Sequence, residues 1–194
     1  MRRTLLALIL SAMMVIGIAG PSQASALPAP SATTTAQQGI TASAITMPAV
    51  HSASHAALFD KTRFLVHMGA ALYVFHHFVY ARYKSGGFAS GASGRTGNFV
   101  KAALALVFTY HELKVSYDIA NKSSSGVLHA VVSPLNALLG KVSNVHDQLK
   151  GNKLDASAMD DLNSSTSSLT STAKSSGLAI NEVAPPSALT SAFQ

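Results

Sequence analysis

The chain has 194 residues, a formal charge of +6 and no cysteine. The missing thiols exclude a disulfide framework, a lipid-modified N-terminal cysteine, a thiol nucleophile and any thiolate metal site. A charge of this size keeps a protein soluble and does not by itself point to a polyanionic partner.

Residues 1–26 read as a secretory signal peptide cleaved near Ala26. Arg2 and Arg3 supply the basic start, Leu5 to Ile18 is a nearly unbroken apolar run, and Ala24-Ser25-Ala26 offers small side chains for cleavage. Removal takes away two positive charges and leaves +4. The expected location is therefore extracellular, or periplasmic if the cell has an outer membrane. Residues 27–53 follow as an Ala/Ser/Thr/Pro-rich spacer, uncharged as far as Val50. Such a composition buries too little apolar surface to offset ordering entropy, so disorder is expected.

Residues 54–176 are the expected helical domain, in four segments. The first, Ser54 to Tyr83, is apolar nearly all round between Phe64 and Tyr80, with Arg82 and Lys84 in the last turn and Gly86 placed to end it. The second, Phe99 to Ala120, has Asn98 as its expected N-cap. The third, Val127 to Leu149, carries the stripe Leu128, Val131, Leu135, Leu138, Val142, Val145 and Leu149, the spacing of one buried helical face. Pro134 predicts a kink or break there, with Ser133 as a new cap. The fourth, Leu154 to Ser176, keeps a thinner stripe of Ala158, Met159, Leu162, Leu169 and Ala173 among many Ser and Thr. Residues 177–194, broken by Pro185-Pro186, read as a flexible tail.

Twelve of the thirteen Phe and Tyr residues lie between Phe59 and Tyr117, so the first two segments should form the dense part of the core. The expected fold is all-α, a small bundle of three to four helices with a disordered N-terminal spacer and C-terminal tail. A membrane span for the first segment fits less well. Its apolar stretch of 17 residues is at the lower limit of length, and three histidines inside it are costly in lipid.

Eight histidines stand out. A hairpin turning between Tyr83 and Asn98 puts His67 level with Lys114 and His111 level with Ala70, about one turn apart. An antiparallel third segment brings His129 to the same end, while His76, His77 and His146 gather toward the other. Facing imidazoles in a bundle suit haem iron or a transition metal. The candidate cofactor ligands are His67, His111 and His129, with Tyr73 and Phe108 as pocket walls. His76, His77 and His146 are the candidate metal ligands. The alternative is structural histidines bonded to backbone or water.

Catalytic motifs do not emerge. His111-Glu112-Leu113-Lys114-Val115 has half of the zinc-protease pattern, but Val115 stands at the second ligand position. The segment Gly86 to Gly97 lacks the lysine and preceding strand of a phosphate loop and reads as a flexible connection. No G-x-S-x-G elbow, zinc-finger spacing or basic recognition helix occurs, so neither an enzyme nor a nucleic-acid partner is expected.

The leading expectation is a secreted, non-enzymatic bundle that binds an unknown protein or cell-surface partner. A haem or transition-metal carrier is the second reading. The third is weak membrane-surface contact through the apolar hairpin 54–120, flanked by Lys61, Arg63, Arg82 and Lys84. From Lys61 to Lys114 there are seven Lys or Arg against one acid, Glu112, which favours anionic surfaces.

Overall fold

A computed structural model describes residues 50–194, with side chains from His55 onward. The expected signal peptide and the spacer up to residue 49 lie outside the described residues. The fold is all-α and mostly helical, with no strand among the described residues.

Helix α1 (Val50–Val74) runs directly into a π-helical turn (Phe75–Tyr80) and then α2 (Ala81–Lys84), forming one rod where one segment was expected. The Ala81 N–H bonds to His76 O, five residues back, which widens the rod at this point. The near-total apolarity of the sequence here has a simple cause. Phe64, Met68, Ala71, Leu72, Val74, Phe75 and Val79 are all buried in the core. By length and composition His55–Lys84 could cross a membrane; here it supplies one wall of the core. Gly86 follows with φ +74°, the left-handed value that ends helices and suits glycine.

Helix α3 (Arg95–Lys122) starts earlier than the sequence suggested, behind Gly94 at φ +67°. Asn98 is not its cap. The Asn98 side chain donates to Gly87 O at 3.0 Å, and its backbone N–H already bonds within the helix to Gly94 O. The Gly-rich connection is pinned as well: Phe88 is buried against Phe99 at 5.0 Å, and Arg95 lies over the Phe99 ring while donating to Phe88 O.

The third segment breaks as expected, into α4 (Gly126–His129) and α5 (Val132–Lys150). Pro134 sits in the first turn of α5, where its missing N–H would have no helical partner. The break falls ahead of Val132, so Val131 and not Ser133 holds the cap position. All seven residues of the predicted stripe are buried. Helix α6 (Ala156–Ser175) is capped by Asp155, whose carboxylate accepts from the Ser157 N–H at 2.9 Å. Met159, Leu162, Thr166, Leu169 and Ala173 form its inner face. Packing follows chain order: α1 on α3, α3 on α5, α5 on α6.

Residues 177–194 depart from the flexible tail that composition suggested. Leu178, Ile180, Pro185 and Phe193 are buried, and the segment runs back along α1. Val183 N–H bonds to Gly69 O at 3.1 Å. A Cβ on Gly69 would lie 2.3 Å from Asn181 O, so glycine is what lets the segment lie this close. The segment ends in α7 (Ser187–Thr190) and a 3₁₀ turn (Ser191–Phe193). Its aperiodic sequence hid four widely spaced anchors.

Candidate functional site

Most of the histidines proposed as ligands have other partners. The His67 ring N–H donates to Glu112, with Nδ1 2.6 Å from Oε2. The helix levels read from the sequence were close, but the residue facing His67 is Glu112, and its neighbour His111 is exposed to solvent. The structure does not bring His67 and His111 together. His129 donates through Nε2 to Ser123 O at 2.7 Å and so closes the turn between α3 and α4. His76 and His77 do meet, on one carboxylate: Glu182 accepts from His76 Nδ1 at 2.5 Å and from His77 Nε2 at 3.2 Å. The wide π turn lets two successive rings reach the same group, and His77 also stacks on Tyr73. His146 is elsewhere, in the groove between α3 and α5 and 3.4 Å from Asp147 Oδ1. Among the described residues no group of three or more His, Asp or Glu is placed to hold a metal ion.

What the sequence search missed is the outer face of α3. Its inner face carries Phe99, Ala102, Ala105, Leu106, Thr109 and Leu113. Away from this face Val100, Leu104 and Val107 are 64, 45 and 50 % exposed, and Tyr110, at the border of the buried face, is 42 % exposed. Spacings of four, three and three residues put them on one stripe about 15 Å long. The available signal was a helix with no clearly polar face. Beside the stripe, an open groove of about 230 Å³ is lined by Leu106, Val107, Tyr110, Val142, Ser143 and His146.

Charge is sorted around this face. The one acid between Lys61 and Lys114 is Glu112, which is buried and bonded to His67. The cations of the same stretch include exposed Arg63, Lys84 and Lys114 and half-buried Lys61, Arg95 and Lys101. Asp155, Asp160 and Asp161 lie on α6 and its cap, and α6 packs on α5. Beyond Lys114, α3 also carries Asp118, whose side chain is 43 % exposed and pairs with Lys114 at 2.6 Å, so the basic excess belongs to the stretch from Lys61 to Lys114 and not to a whole side of the bundle.

Two groups near the rod's end depart from their ordinary titration. Partial burial pulls the Arg82 guanidinium down. Tyr83 is pushed up, first by desolvation and then by the Asp160 carboxylate, to which its hydroxyl donates at 3.2 Å. In comparisons with protein-family models, curated proteins and solved structures, nothing matches the chain.

Proposed function

We propose that this chain is an exported, non-enzymatic bundle of four helices that acts by binding, and that it docks through the outer face of α3 onto an anionic lipid surface. The α1–π–α2 rod counts as one of the four helices, and residues 1–26 serve as the export signal. The observation that carries the reading is the exposed stripe Val100, Leu104, Val107 and Tyr110 on α3, within the stretch Lys61 to Lys114 whose one acid, Glu112, is buried. An exposed apolar stripe marks an interaction site, and Lys114 stands one helical turn beyond Tyr110. The convex shape of a helix face suits a lipid surface, which can yield around it.

The magnitudes fit reversible attachment. Each half-exposed apolar side chain contributes on the order of 1 kcal/mol on burial. A Lys or Arg close to an anionic leaflet adds about 1 kcal/mol, weakened by salt. Sedimentation with vesicles tests this. Vesicles containing phosphatidylglycerol should carry the chain down at low salt and release it as salt rises, and phosphatidylcholine vesicles should carry far less. Equal recovery with both would refute an electrostatic docking face.

A further inference from the structure

Phe193 is the thirteenth aromatic of the chain, far in sequence from the other twelve, yet it joins their cluster. Its ring centroid lies 5.4 Å from that of Phe78 on the π turn and 6.0 Å from that of Phe108 on α3, and only 4 % of the residue is exposed. Two cations close the mouth of this notch. The Arg82 guanidinium donates to Phe193 O and, at 3.4 Å, to Gln194 O; Lys101 Nζ donates to Gln194 O. Arg82 is itself oriented by a 2.9 Å bond to Phe78 O.

The arm that delivers Phe193 is held loosely. Between Pro185 and Phe193 no residue is buried, and α7 presents Leu189 to solvent. Phe193 and three donated hydrogen bonds therefore carry most of the attachment. A segment with so few buried contacts opens locally at low cost, and opening uncovers an aromatic slot with two cations above it.

We propose that the notch formed by Phe78, Phe108, Arg82 and Lys101 is a peptide-recognition site, occupied in cis by Phe193–Gln194. Its ligand class is an extended peptide segment that inserts one aromatic side chain and offers the following backbone oxygens to Arg82 and Lys101. The ring supplies apolar burial, and the charge-assisted bonds fix direction along the chain. The tethered segment competes at a millimolar effective concentration, so the site is self-inhibited at rest. This inference is independent of the proposed lipid-docking face.

The chain contains no tryptophan, so Phe193→Trp introduces a single fluorophore at the site. Its emission should be that of a buried indole, and should shift to the red when an amidated peptide of residues 186–194 is added in large excess. In Phe193→Ala the notch is vacated, and the same peptide carrying a dye should bind, read by fluorescence anisotropy. Adding Arg82→Ala to that variant should weaken binding about tenfold or more, through loss of bonds to a charged donor. Absence of peptide binding to a Phe193→Ala chain that keeps its helical circular dichroism overturns the proposal. Should that variant lose its helices, the decision falls to the Phe193→Trp chain, where unchanged emission under excess peptide overturns it equally.

Discussion

His67 Nδ1 lies 2.6 Å from Glu112 Oε2 across the α1–α3 hairpin, and through this pair the one acid of the stretch from Lys61 to Lys114 is withdrawn from the surface. The Glu112 side chain is 12 % exposed and that of His67 29 %. Replacing Glu112 with Ala removes the partner of a largely buried ring nitrogen and should cost about 1–3 kcal/mol. Urea unfolding checks this, with exposed Asp161→Ala as the reference. Equal midpoints for the two variants would mean that the pair does not hold the hairpin.

Gly69→Ala should lift the C-terminal segment from α1. The added Cβ meets Asn181 O, a backbone atom that moves only with the whole segment. Misfit of this kind costs about 1–3 kcal/mol. Helix content should persist, while amide exchange and proteolysis near residues 178–186 accelerate. Unchanged protection at Val183 would contradict the close approach.

Asp160→Asn should lower the titration of Tyr83 toward the ordinary tyrosine value, leaving desolvation and the smaller effects of Tyr80 and Asp155. Ultraviolet titration of the phenolate, compared with Tyr83→Phe, isolates the group. A raised folded-state value means that any stabilisation is fully present below the unfolded tyrosine value. It is then lost as pH rises through the folded one, so the linkage appears only on the alkaline side. A titration unmoved by Asp160→Asn would show that the carboxylate does not act on Tyr83.

Asp155→Ala removes the side-chain cap of α6 and should destabilise the protein by about 1 kcal/mol. Asp155→Asn, which can still accept the Ser157 N–H, should lose much less. A similar loss from both would place the effect in charge and not in capping.

Periodicity revealed most of the helical core. The stripe from Leu128 to Leu149 is buried residue for residue, and the break beside Pro134 falls within three residues of where proline chemistry put it. Helix levels also came through, since the hairpin estimate reached the right turn. It could not choose between His111 and Glu112, which are adjacent in sequence yet point about 100° apart. The C-terminal segment was illegible for a different reason. Its anchors Leu178, Ile180, Pro185 and Phe193 follow no period, and its fit depends on Gly69, more than a hundred residues away. The π turn left no mark that distinguishes it from the α-helix around it, so the meeting of His76 and His77 on Glu182 was equally hidden. Apolar residues on both sides of α3 were visible, but only packing shows which side the core uses.

The docking face is tested most directly by comparing Leu104→Ser/Val107→Ser with the parent chain, both freed of residues 1–26, in sedimentation with phosphatidylglycerol vesicles at low salt. Both positions are about half exposed, so the double variant should keep its fold and thermal midpoint nearly unchanged. The account predicts that vesicle binding falls by about tenfold, as expected for roughly 1–2 kcal/mol of lost apolar burial. Undiminished binding by the folded variant would contradict it and move the contact surface away from α3.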